Sequence, residues 1–220
     1  MLGGTFNPVH VAHLRAAEEV REALGLEKVF FVPAGNPPLK TSGLLPADQR
    51  FRMVRLATKG NPDFEVSAIE CRGGRHPSYT VYTLEELGSM YGSGRLRFIT
   101  GIDVFKNLHL WWRPGRLIEL ADFVVVSRPG HDFVSLADSP FVAPSGRNLA
   151  RLAAMDARKG EKGRTTRLRL ASGRALYLVR ITDMDISGKS IRALLAAGRS
   201  VRYLLPEPVL SFIISNKLSF

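Results

Sequence analysis

Residues 183–198 read DMDISGKSIRALLAAG, and the fold turns on what the segment before Ser187 holds. A P-loop needs G-x-x-x-x-G-K-[ST] between a strand and a helix, so that backbone N–H groups can wrap the phosphates. Gly188, Lys189 and Ser190 satisfy the end of that pattern, and the apolar run Ala175 to Ile181 supplies a strand before it. Asp183, however, stands where the first glycine belongs. Together with Asp185 it would set two carboxylates where a P-loop concentrates N–H donors. Another reading fits these residues better. Ser187 suits an N-cap, and Arg192 follows on the first turns of the helix, with a fork that matches phosphate oxygens. The expectation is an anion site at a helix N-terminus, without a P-loop.

Upstream of this turn, short apolar runs alternate with helical spacing. Residues 13–24 place Leu14, Ala17, Val20 and Leu24 on one stripe closed by Gly25, and a strand-like run, KVFFVPAG, follows. Phe51, Val54 and Ala57 mark a second helix, FEVSAIE alternates like a strand, and Val81, Leu84 and Leu87 mark a third helix. RLRFITG, DFVVVSRPG and ALYLVRI read as further strands, with a helix near Arg116 to Leu120 and a last one in PEPVLSFIISN. Strands alternating with helices predict an α/β fold, a Rossmann-like doubly wound parallel sheet whose ligands sit at the carboxyl ends of the strands.

A chain of 220 residues, 45% of them hydrophobic, has room for one α/β domain with a sizeable core, or at most two small ones. No apolar run approaches a membrane span, and no signal-peptide layout opens the sequence. One cysteine, Cys71, excludes an intramolecular disulfide and agrees with a reducing compartment, so a cytoplasmic location is expected. The formal net charge is +11, and it is concentrated. Arg147 to Arg174 carries Arg147, Arg151, Arg158, Lys159, Lys162, Arg164, Arg167, Arg169 and Arg174 against Asp156 and Glu161. Without interleaved aromatics this run is a poor base-stacking surface. Nucleic acid is therefore disfavoured as a partner, and a mobile basic insertion near 145–174 is expected in a single domain spanning 1–220.

The N-terminal stretch GGTFNPVHVAHLR, residues 3–15, is the second loop with chemistry. Gly3 and Gly4 allow close backbone approach, and Pro8 stiffens the turn. His10 and His13 lie three apart at a helix start, where unpaired N–H groups and the dipole favour an anion. Capping or surface histidines are the plainer alternative. Zinc is a poorer one, since no third ligand accompanies the pair.

GGTFNPVHVAHL resembles the (H/T)-x-G-H signature of nucleotidyltransferases, and more closely the opening of bacterial nicotinate mononucleotide adenylyltransferases. The likeness continues through PAGNPPLK, DQRFRMVRLA, PSYTVYTLEEL, FITGIDVFKNLHLWW, FVVVSRPG, ISGKSIR and LLPEPVLSFI, in the family's order. The resemblance implies adenylyl transfer in NAD biosynthesis: nicotinate mononucleotide attacks the α-phosphorus of ATP, pyrophosphate leaves, and Mg²⁺ accompanies the ATP. It implies that His10 and His13 hold the α- and β-phosphate region, with Gly4, Thr5 and Phe6 presenting backbone groups. Lys40, Ser187, Lys189 and Arg192 would take the triphosphate and departing pyrophosphate, with Lys40 and Arg192 counted beside the histidines as catalytic. Gly101 and Asp103 would hold the adenosine. Asn7, Thr80, Trp111 and Arg128 would contact the mononucleotide, the Trp111 indole stacking on its ring.

The sequence departs from that pattern in places. Ala12 replaces the glycine of H-x-G-H, Leu39 replaces a histidine, and Lys189 replaces the threonine of the second motif. Only Met1 and Leu2 precede the first loop, so the first strand is expected to be truncated and an upstream extension to raise stability and activity. Other acceptors remain open at this stage: nicotinamide mononucleotide, phosphopantetheine or a cytidylyl substrate. So do a basic RNA-binding module and assembly into a homo-oligomer.

Overall fold

The alternation of apolar runs resolves, in a computed structural model, into strands and helices in the expected order. Residues 1–38, 43–72, 77–158 and 160–220 are described. In chain order the elements are β1 (Leu2–Gly4), α1 (Val11–Leu24), β2 (Val29–Pro33), α2 (Ala47–Thr58), β3 (Phe64–Val66), α3 (Thr80–Tyr91) and β4 (Arg97–Gly101). They continue with α4 (Ile102–Lys106), α5 (Pro114–Leu120), β5 (Asp122–Val126), α6 (Gly146–Ala157), β6 (Thr165–Arg169), β7 (Ala175–Val179), α7 (Gly188–Ala196) and α8 (Glu207–Ser215). The chain divides into two compact units, each discontinuous in sequence. One comprises Met1, Glu18–Leu26 and Thr80–Met184; the other comprises Leu2–Ala17, Glu27–Tyr79 and Asp185–Phe220.

In the second of these units β1 and β3 both pair with β2 in parallel, Leu2 opposite Phe31 and Gly4 opposite Pro33. β2 is buried along nearly its whole length, as a strand covered on both faces should be. α2 packs on β2 and β3, and α8 packs on α2. Arg52 of α2 lies over the Phe212 ring of α8 at 5.4 Å. β1 is three residues long. Gly3 and Gly4 belong to that strand, whereas the sequence reading put them in the loop.

In the first unit β4, β5 and β7 are parallel neighbours, and β6 runs antiparallel beside β7. The Met1 carbonyl accepts from the Ile99 amide of β4 at 2.9 Å. The core here is aromatic and aliphatic: Phe98 and Phe105 meet Phe123 edge-on at 5.5 and 5.8 Å, under Val124, Leu176 and Leu178.

Three differences from the sequence reading have physical causes. β6 makes the strand set mostly, rather than wholly, parallel: Leu168 and Leu170 are buried while Arg167 and Arg169 between and beside them are exposed, a period of two hidden by its charge. Residues 145–174, read as an insertion, contain α6 and β6. Ser145 caps α6 by accepting from the Asn148 amide at 3.1 Å, and Leu152 and Met155 face the core. The buried stripe of α2 is also turned relative to the Phe51, Val54 and Ala57 reading, for it consists of Arg50, Met53, Val54 and Thr58.

Candidate active site

The phosphate-side candidates lie in the unit that holds β1 and α7. Between β1 and α1 the chain turns through Phe6 at φ +48°, a left-handed conformation that costs a non-glycine residue roughly 1–2 kcal/mol. The Phe6 ring is packed to hold it there. It lies 5.9 Å from Phe31, meets His13 edge-on at 5.0 Å, and would leave an added Cβ on Gly4 only 3.2 Å from its rim. A side chain at Gly4 would therefore have to displace the Phe6 ring by a few tenths of an ångström.

His10 and His13 are brought face to face, with ring centroids 3.6 Å apart and planes at 25°. The His10 amide donates to His13 Nδ1 at 3.2 Å. An accepting Nδ1 places the proton of the neutral His13 ring on Nε2, the tautomer with a donor on its far edge.

Asn7 is tied down on every side. Its Nδ2 donates to the Gly43 carbonyl at 2.8 Å, its Oδ1 accepts from the Leu45 amide at 3.1 Å, and its carbonyl accepts from Arg192 Nη1 at 2.8 Å. The last bond joins positions 185 apart in sequence and brings the first loop against the start of α7. Gly188 has the small size that this approach requires: an added Cβ would lie 3.2 Å from Arg192 Nη1 and 3.3 Å from the Asn7 carbonyl oxygen. Ser187 is the N-cap, as expected. It accepts from the Ser190 amide at 3.1 Å, while Ser190 Oγ accepts from the Ser187 amide at 3.2 Å, a reciprocal capping box. In the sequence Ser190 reads as the end of the P-loop-like pattern; its place in the capping box is signalled by S-x-x-S at a helix start. Lys189 is exposed. Lys40, and Leu39 beside it, lie outside the described residues.

The nucleoside-side candidates lie in the other unit. Asp103, in the first turn of α4, pairs through Oδ2 with Arg128 Nη1, while its Oδ1 is buried with no hydrogen-bond partner. Gly101 is needed beside it, because an added Cβ would come within 2.7 Å of that oxygen. Trp111 is half-buried against Phe98, centroids 6.3 Å apart, and Thr80 opens α3. Its neighbour Trp112 is exposed and donates through Nε1 to the Tyr82 hydroxyl at 3.1 Å.

Sequence reasoning missed Arg50. It is 1% exposed and donates to three main-chain carbonyls: Leu45 from Nε at 2.9 Å, Thr5 from Nη1 at 2.8 Å and Gly35 from Nη2 at 3.0 Å. Burial draws its pKa below the ordinary guanidinium value, and Cys71, Glu70 and Asp48 pull it back up. Burial likewise raises the Cys71 thiol above its usual range, against the pull of Arg50, which suits an unreactive thiol. Among the described residues no group of three His, Cys, Asp or Glu could hold a metal ion. No helix of the described residues is long and apolar enough to cross a membrane.

Comparison with known proteins extends this geometry. A cytidylyltransferase-like family model matches residues 1–194. A protein of Geotalea daltonii, named "Probable nicotinate-nucleotide adenylyltransferase", is 43% identical over 220 residues, covering 99% of this chain and 96% of that one. A protein of the same name from Syntrophotalea carbinolica is 42% identical over 219 residues, covering 99% and 95%. Among solved structures, the Plasmodium falciparum nicotinic acid mononucleotide adenylyltransferase complexed with NaAD superposes with a TM-score of 0.71 at 13% identity, covering 99% of this chain and 94% of that chain. Complexed with APC, the same protein gives 0.68. At such identity the likeness shows the fold, the α/β architecture of mostly parallel strands with flanking helices.

Proposed function

The chain belongs to the nicotinate-nucleotide adenylyltransferase family, and from that membership we propose how its residues carry the reaction. The enzyme joins ATP and nicotinate mononucleotide to give deamido-NAD and pyrophosphate, a step of NAD biosynthesis. A phosphate oxygen of the mononucleotide forms a bond to the α-phosphorus while the bond to the β-phosphate oxygen breaks, and pyrophosphate carries that electron pair away. No covalent intermediate on the protein is needed. Catalysis then consists of positioning and of neutralising developing charge.

The observation that supports the residue assignments is the Arg192–Asn7 bond, which joins the first loop to the start of α7 from opposite ends of the chain. His13 donates from Nε2 toward the α-phosphate, with His10 beside it and the main chain of Gly4, Thr5 and Phe6 completing the cradle. A guanidinium has five N–H groups, so one bond to Asn7 leaves others for the pyrophosphate. Ser187 shapes the end of α7, and Lys40 and Lys189 add charge. Asn7 shapes the loop instead of touching substrate. Asp103 accepts a ribose hydroxyl with its buried Oδ1, while Arg128 neutralises and aims the carboxylate through Oδ2. Gly101 leaves room for the nucleoside, and Trp111 and Thr80 line the pyridine pocket.

Mg²⁺ fits this site as the ATP complex, held by phosphate oxygens and water, because the described residues offer no cage of their own. It would supply charge neutralisation on the triphosphate. The same reading makes residues 1–220 a single nucleotidyltransferase domain working in the cytoplasm. Purified protein given ATP, Mg²⁺ and nicotinate mononucleotide is expected to release pyrophosphate and deamido-NAD in equal amounts. Pyrophosphate released without any mononucleotide would overturn the assignment.

A further inference from the structure

We propose that Arg50 is a positioning residue for adenylyl transfer: its buried guanidinium fixes the peptide that aims the Phe6 amide at the transferred phosphate. The inference rests on the reaction proposed above. Three observations carry it.

The first is the economy of the contacts. Nε, Nη1 and Nη2 each donate to a main-chain carbonyl, and the carbonyls belong to three segments: Thr5 after β1, Gly35 after β2 and Leu45 before α2. Loop carbonyls have no ladder partners, so buried ones need such a donor. A lysine could not replace it, since one ammonium cannot span three carbonyls set by a planar fork.

The second is direction. In a trans peptide the N–H points opposite to the carbonyl, so fixing Thr5 O fixes where the Phe6 N–H points. Arg50 takes the carbonyl, and the amide is left facing away from it. Phe6 itself sits at φ +48°, a conformation that persists only when its surroundings over-determine it. The Arg50 bond to Thr5 is one of those determinants, and the ring contacts of Phe6 are the others.

The third is connection. Leu45 gives its carbonyl to Arg50 and its amide to Asn7 Oδ1, and Asn7 in turn holds Arg192. Gly35 is itself packed against the backbone of residue 70, since an added Cβ there would lie 2.0 Å from the Glu70 carbonyl oxygen, so only glycine fits where Arg50 takes its carbonyl. Arg50 thus braces the first loop directly and the start of α7 through Leu45 and Asn7, and is itself 1% exposed.

The test is Arg50→Lys, with Arg50→Met beside it, in the full chain. Misaiming a donor by about 1 Å costs on the order of 100-fold in rate. For Arg50→Lys, kcat per folded molecule should fall about 10- to 100-fold while the calorimetric affinity for ATP with Mg²⁺ stays within about threefold. A lowered melting temperature with wild-type kcat per folded molecule would overturn the proposal and leave Arg50 a purely structural residue. If neither variant folds, the wild-type protein decides. With ¹⁵N-labelled phenylalanine, the Phe6 amide proton should move downfield on adding a non-hydrolysable ATP analogue with Mg²⁺, and an unmoved resonance overturns the proposal. Wild-type protein that makes no deamido-NAD refutes the reaction instead, and the Phe6 resonance still reports separately on the peptide's aim.

Discussion

Around the first loop, Arg50 and Arg192 donate to the carbonyls of Thr5, Gly35, Leu45 and Asn7, whereas between residues 145 and 174 Arg147, Arg151, Arg158, Arg167 and Arg169 are exposed. The second group dominates the charge count and the eye. The first contains only two side chains, yet each closes a turn on which the candidate chemistry depends. What separates them is commitment: a guanidinium whose donors are spent on fixed carbonyls defines geometry, while an exposed one contributes mainly to solubility and to the blunting of an edge strand such as β6. The contrast has exceptions: Arg151 and Arg174 each donate to one main-chain carbonyl, of Arg167 at 3.1 Å and of Glu119 at 2.8 Å, and Arg180 just beyond the stretch is buried beneath α6 and paired with Asp156 at 3.1 Å. Substitutions in the two regions should accordingly fail in different ways.

The largest expected effect is at the first loop. His13→Ala removes an Nε2 donor and the Nδ1 acceptor of the His10 amide, and kcat should fall by about 10²- to 10³-fold, the cost of one preorganised donor to the transition state. The melting temperature should move little, because the ring is only half-buried. Steady-state kinetics with a thermal melt of the same preparation checks both. Near-normal turnover would make His13 a cap and would remove the contrast between the two regions.

The next effect is the opposite kind. Asp156 accepts from the Phe133 and Val134 amides at 2.9 and 2.8 Å and pairs with buried Arg180. Asp156→Ala leaves that cation without its carboxylate and two amides without an acceptor, a loss of about 3 kcal/mol. In a chain of this size that lowers the melting temperature by roughly 6–12 °C. Turnover per folded molecule should be unchanged, since nothing at Asp156 touches the candidate site. A drop in kcat without a drop in stability would show that α6 takes part in catalysis.

How much of this was legible in the sequence follows from what each signal consists of. Ser187 was readable as a cap because an N-cap is a local matter of one hydroxyl and the third amide after it. The helices α1, α3, α5 and α8 and the strands β2, β4, β5 and β7 were readable because their apolar period is intact, whereas α2 was placed but its buried stripe, with Arg50 and Thr58 in it, was turned. α6 and β6 were hidden, since their buried positions, Leu152, Met155 and Leu168, are diluted by arginines that a charge count reads as solvated chain. Arg50 was hidden for the converse reason. It occupies an i, i+3, i+4 stripe with Met53 and Val54, and a charged residue on an apolar stripe reads as a break in the pattern although its burial there is the signal. The Asp103–Arg128 pair was also out of reach, because two residues each assigned separately to ligand turn out to hold one another.

The smallest effect concerns Lys189, an exposed basic residue three positions before Arg192. It is the second residue of α7, behind the Ser187 cap, where a positive charge opposes the helix dipole by some tenths of a kcal/mol. An arrangement that costs stability in the free protein is repaid if a polyphosphate binds at that end. Lys189 is exposed, so any contact it makes with the triphosphate is a surface ion pair, worth about 0.2–1 kcal/mol and screened by salt. Lys189→Thr should therefore raise the KM for ATP about two- to threefold at low ionic strength, and the two proteins should converge as salt is added. The same substitution should leave the melting temperature unchanged or slightly raised, because the dipole conflict is gone. Curves that stay parallel across the salt series would assign Lys189 to the solvated arginines and lysines of the other region, and the boundary between committed and uncommitted charge would then fall between Arg192 and its neighbours on the same helix.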